Sequence, residues 1–203
     1  MIATTTFQDI ASVKFLKHDS IKEQLSVKLQ DAIDDRRIKL KDSSVYMRRN
    51  IRGLSGDNEL IEPNDNFDYG VRNIAYQKLP LGEALVAKGL LVGFSKTAND
   101  GETDLKKVKY SNVLSDDIPA ELLNADLIVS VDGTSIFEER IGLLLMQTKS
   151  EQPVREAIYK FSNWNIFPDD KKINVKIKFH DKMPDDANYF FETSFIGDYT
   201  RIK

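Results

Sequence analysis

The run from Leu122 to Met146, LLNADLIVSVDGTSIFEERIGLLLM, constrains this chain more than any other. Leu127, Val129 and Val131 alternate with Ile128, Ser130 and Asp132, which predicts a strand ending at Asp132-Gly133. Asp-Gly is a strong hairpin signal, because both central residues of a type I′ turn take φ > 0. Thr134 to Phe137 has the β-branched and aromatic composition of the returning strand. The expectation is strands near 126–131 and 134–138 joined by a two-residue turn. A lone hairpin is marginal in water, so flanking strands must complete a sheet.

The sequence predicts such strands. Val71 to Tyr76 and Leu85 to Ser95 read as strands, the second with Gly89 and Gly93 inside it. Lys107 to Val113 reads as a lysine-blunted edge strand, and Ile118 to Leu123 as a helical turn started at Pro119. Ile141 to Met146 and Val154 to Phe161 are either short helices or buried strands. Ile173, Val175, Ile177 and Phe179 alternate with Lys172, Asn174, Lys176 and Lys178, the pattern of a half-solvated antiparallel strand. Pro184-Asp185-Asp186 turns the chain, and Tyr189 to Ile196 reads as the last long strand. After residue 53 no long amphipathic helix separates the strands, which excludes βαβ units. The fold class is therefore mainly β, an antiparallel sandwich or barrel.

The N-terminal part differs. Residues 7–17 fit a short helix or a strand. Over 20–36 the sequence predicts a helix, with Ser20 and Glu23 spaced as a capping box and Asp19 at the positive end of the dipole. Ile21, Leu25, Leu29, Ala32 and Ile33 form one apolar stripe, a candidate assembly element that docks on its own domain or on a neighbour. Residues 36–52 then carry seven cations against the single acid Asp42, a local charge of +6 in a chain of −3. Arg36, Arg37, Arg48, Arg49 and Arg52 are candidate anion or partner contacts, for nucleic acid, lipid headgroups or an acidic surface; the alternative is a solvated face paired to acids elsewhere. Loop composition over 53–66 suggests three parts: a helical and basic arm at 1–52, a linker at 53–66 and a β-sandwich domain at 67–203.

At 203 residues and 41% hydrophobic, the chain suits one domain with a real core and an appended arm. It has no cysteine, which excludes disulfides, thiolate metal sites and thiol catalysis and suits a reducing compartment. The start MIATTTFQDI lacks the features of a signal peptide. The longest apolar run, Leu143 to Met146, falls far short of the ~20 residues of a membrane span. The expectation is a soluble product with no transmembrane segment, cytoplasmic unless packaged.

Catalytic chemistry finds little footing. Val131-Asp132-Gly133-Thr134 resembles the strand end of haloacid-dehalogenase-like phosphatases, but Ser130 stands where their nucleophilic aspartate belongs. The two histidines, His18 and His180, lie far apart in sequence, too few for a cupin-type metal centre or a serine triad. No Gly-rich phosphate loop occurs, and Asp100–Asp104 lacks the spacing of a calcium-binding loop. The expectation is no catalytic residue, no cofactor and no metal. Trp164, beside Tyr159, Phe161 and Phe167, is a candidate aromatic contact if it is not core.

From Leu79 to the end, PLGEALVAKGLLVGFS, ADLIVSVDGTSIFEE, NIFPDDKKINVKIKF and FFETSFIGDYT succeed one another. In this order the chain resembles the jelly-roll capsid proteins of small icosahedral viruses, such as tailless phages. The resemblance implies a jelly-roll-like sandwich with an N-terminal helical arm, and a non-enzymatic structural protein. It further implies a homo-oligomeric shell subunit of a virion, made in the host cytoplasm, whose arm reaches under neighbours. The competing expectation is a ligand-binding β-sandwich, a carbohydrate-binding or adaptor module.

Overall fold

In the computed structural model, which describes residues 11–145 and 158–203, eight strands form two four-stranded antiparallel sheets. The strands are β1 (Ile38–Asn50), β2 (Gly56–Glu59), β3 (Glu83–Thr97), β4 (Asp126–Val131), β5 (Thr134–Arg140), β6 (Tyr159–Phe167), β7 (Ile173–Phe179) and β8 (Asn188–Ile202). One sheet runs β1-β8-β3-β6 and the other β2-β7-β4-β5. Within these orders β1 pairs with β8, β2 with β7, β3 with β6 and β4 with β5. The chain is thus one long antiparallel ribbon rolled up on itself, which is the jelly-roll form of the sandwich. The tip of that ribbon is the Asp132-Gly133 turn.

Both turn residues have positive φ, 46° at Asp132 and 83° at Gly133, as the Asp-Gly signal predicts. Asp132 also ties the tip to the start of β7. Its carboxylate accepts from the Lys172 amide at 3.0 Å and pairs with Lys171 at 3.0 Å, contacts that lower its pKa. These bonds fasten the tip of the ribbon to the strand beside it. A Cβ at position 133 would meet no atom within 4 Å, so Gly133→Val tests backbone conformation alone. Its expected cost is about 2 kcal/mol, read as a lower urea midpoint. An unchanged midpoint would show that the left-handed turn contributes nothing.

The core lies between the sheets. Val45, Met47, Leu85, Leu90, Phe191 and Phe195 face Leu127, Val129, Val175 and Ile177. A second apolar cluster covers the outer face of the first sheet. There α1 (Ala11–Leu16), α2 (Asp19–Lys22) and α3 (Val27–Asp34) lay Leu16, Leu25, Leu29, Ala32 and Ile33 over Ile38, Ala84, Val86 and Ile166.

Several expectations change here. The helix expected over 20–36 is broken, and the Ser20/Glu23 capping box gives way to Ser26, whose hydroxyl caps α3 by accepting from the Leu29 amide at 3.2 Å. The break follows from a tertiary contact. Buried Asp169 accepts from the Ser26 amide at 2.9 Å, from its hydroxyl, and from the Gly82 amide at 2.8 Å, which fixes Ser26 outside the helix. Nor does the chain divide into arm, linker and sandwich at 52 and 66. Residues 38–50 are β1, paired along its whole length with β8, and β2 lies inside the expected linker.

Residues expected as strands at 71–76 and 107–113 form only isolated bridges, Met47 with Arg72 and Phe94 with Ser111 among them. Their apolar side chains Val71, Ile74 and Val108 are buried without strand pairing. The ambiguous segments resolve into α1, α5 (Ile141–Leu144) and β6, and α4 (Ala120–Leu123) follows Pro119. The parts of those readings at 7–10, at Met146 and at 154–157 lie outside the described residues. Among the described residues no helix is long and apolar enough to cross a membrane.

Candidate functional site

The five candidate arginines do not converge on one surface. Arg48 on β1 pairs with Glu192 opposite it on β8 and donates to the Gly70 carbonyl at 2.7 Å. Its guanidinium also lies 4.7 Å from the centre of the Tyr110 ring. Arg49 pairs with Glu62 at 2.8 Å and donates to the Glu59 carbonyl. Arg52 donates to the Asp185 carbonyl at 2.6 Å and to the Asn188 side chain at 3.4 Å. These three clamp loops to β1 and its neighbours, which is the paired reading of the charge run. Arg37 meets Asp35 at 2.9 Å on the surface, and Arg36 ends α3 with φ 58°, the left-handed position that closes helices.

Ile21, Leu25, Leu29 and Ile33 lie on the chain's own sheet. Leu25, Leu29 and Ile33 are buried there and Ile21 is half-buried at the rim. The stripe is covered within a single copy.

Trp164 is half-buried on β6, with Phe15 edge-on at 5.8 Å and the Lys88 ammonium 5.1 Å from its ring centre. It walls a cavity of about 600 Å³ on the outer face of the first sheet, together with Ile158, Phe161, Lys88, Asp42 and Asp198. A bulge in β3 at Lys88 shifts the register against both β6 and β8, the device by which strands re-aim a side chain. Lys88 reaches Asp198 at 2.8 Å, and the buried Ser12 hydroxyl donates to the same carboxylate. Burial pushes the Asp198 carboxyl up, but hydrogen bonds from Lys88 and Ser12 outweigh it and hold the group below the usual carboxylate range. Asp42 stands directly opposite Asp198 across β1 and β8, and Lys160 joins Lys88 on the lining, so the cavity wall holds two aspartates and two lysines. The cavity can accept a ligand with an apolar face for Trp164 and polar groups for the aspartates and lysines of its wall.

A second surface was not legible in the sequence. Between β2 and β3 the chain crosses the edge of β1, where the Asn73 side chain accepts from the Tyr46 amide and donates to the Ser44 carbonyl, both at 2.7 Å. Gly70 donates to the Tyr46 hydroxyl at 3.0 Å. Buried Gln77 donates to the Ile61 carbonyl at 2.7 Å and to Glu59 at 2.9 Å. This pinned connection presents Phe67, Tyr69, Tyr76 and Leu81 at 47%, 82%, 55% and 53% exposure. Tyr76 does so with φ 53°, an unusual conformation for a bulky residue, followed by Gln77 at 58°. The available signal was Phe67 and Tyr69 just beyond the loop composition of 53–66, and Tyr76 at the end of a run that reads as a strand.

Compared with protein families, curated proteins and solved structures, the chain matches none. The functional reading rests on the geometry.

Proposed function

We propose that this chain is a non-enzymatic structural subunit that works in many identical copies, as in the shell of a virion such as a phage capsid. One observation carries the reading: Phe67, Tyr69, Tyr76 and Leu81 stand exposed on a connection pinned to both sheets. Aromatic side chains are enriched at the centres of protein interfaces, and these three aromatics are held on a connection fixed by side-chain hydrogen bonds. Strained backbone at Tyr76 adds weight, since such outliers concentrate at functional positions. The jelly-roll topology is compatible with a shell subunit, although lectins and cupins share it.

Light scattering on the purified chain tests the proposal. The expected result is a stable oligomer, trimers or larger particles, whose mass does not fall on dilution. A monomer at every concentration would contradict it. The cavity at Trp164 favours a second reading, a ligand-binding sandwich, and a monomer that binds a glycan with Trp164 quenching would support that reading instead.

A further inference from the structure

The core-facing row of β1 runs Met47, Val45, Ser43, Lys41, Lys39, and its last two members emerge exposed beyond the covered part of the sheet. Opposite Lys39 on β8 is Arg201, and opposite Lys41 is Tyr199. On the far side of β8, Glu83 of β3 stands opposite Arg201. Together these residues line a groove of about 320 Å³. Two cations directly opposed across an antiparallel pair destabilise a sheet unless something neutralises them.

Glu83 does not complete that neutralisation. It pairs with Arg201 through Nε at 3.1 Å and accepts from the Tyr199 hydroxyl at 2.6 Å. Burial first, and then Glu83 itself, hold the Tyr199 phenol protonated far above its ordinary range, so it remains a donor to Glu83. Among the described residues Lys39 and Lys41 have no ion-pair partner, and Arg201 shares its one acidic partner, Glu83, with the Tyr199 hydroxyl. Two ammonium groups, the Arg201 guanidinium and the Ser43 hydroxyl therefore border one groove with a single, already engaged acid.

We propose that this groove binds the phosphoryl oxygens of a small oligophosphate ligand. The guanidinium fork matches two oxygens of one phosphoryl group, and the ammonium groups serve neighbouring ones as point charges. The groove has the volume of a small molecule, and its residues come from three adjacent strands, β1, β3 and β8. This site is separate from the connection between β2 and β3 and does not depend on assembly. The competing account is that Lys39 and Lys41 merely blunt the edge of β1 against pairing with other chains.

Titration calorimetry of the full chain with sodium tripolyphosphate decides between them. One saturable site per chain is expected at about 50 mM salt, weakening markedly by about 300 mM as surface charges are screened. Changing Lys39→Gln and Lys41→Gln together should weaken binding at least about tenfold, as should Arg201→Lys, which keeps the charge and removes the fork. Lys28→Gln, on the exposed side of α3, should leave affinity unchanged. Urea midpoints confirm that each variant is folded, and the Arg201→Lys variant carries the test if the double variant is not. Absence of saturable binding by the unaltered chain would overturn the proposal, as would equal affinity in the variants. Binding of anionic vesicles or a single-stranded oligonucleotide without binding of tripolyphosphate would overturn it too, because a diffuse surface and not this groove would then hold the anion.

Discussion

Gly197→Ala is expected to destabilise the fold by about 3 kcal/mol or more, a cost at the upper end of overpacking effects. Gly197 lies in β8 between Ser43 of β1 and Ala87 of β3. A Cβ there would sit 1.9 Å from the Val86 carbonyl oxygen and 3.1 Å from the Ala87 Cα. Those are backbone atoms of a central strand, so no side chain can swing away to make room. The close approach occurs next to the bulge that aims Lys88 at Asp198, so the glycine also sets the geometry of the outer cavity. Equilibrium urea unfolding gives the cost, and a midpoint equal to that of the unaltered chain would contradict the packing described.

Leu25→Ala with Leu29→Ala is the second large effect. Both side chains are buried against the outer face of the first sheet, and each truncation is expected to cost about 2–5 kcal/mol. Their sum approaches the whole stability of an ordinary domain, about 5–15 kcal/mol. The helical segment is bound to the sheet through Ser26, Asp169 and Gly82 as well as by this apolar contact. Loss of the contact should therefore lower the single unfolding transition of the entire domain. If the helices melted separately while the strands kept their original transition, the segment would be an independent arm.

Local signals in the sequence survived folding, and long-range ones were hidden. The Asp132-Gly133 turn is legible because its chemistry is contained in two residues. β7 is legible because one face meets the core and the other meets water, giving a clean period of two. β1 was not, since its covered half is charged where Arg48 and Arg49 clamp loops, and its open half carries Lys39 and Lys41. The break between α2 and α3 depends on Asp169, 143 positions away, and no local pattern announces it. Val71 and Ile74 read as strand because they are apolar, yet they are buried beneath an irregular segment. Of the candidate site, Trp164 could be found by composition, whereas the cavity beside it depends on a bulge and on two aspartates 156 positions apart.

In the proposed assembly the exposed side chains between β2 and β3 join copies of the chain. Sedimentation velocity comparing the unaltered chain with a Phe67→Ser, Tyr69→Ser, Tyr76→Asn variant tests it most directly. All three side chains are exposed, so the variant should keep its fold, and asparagine tolerates the left-handed conformation at position 76 better than tyrosine. An oligomer is expected for the unaltered chain and a folded monomer for the variant. Identical sedimentation of the two, at any oligomeric state, would contradict it.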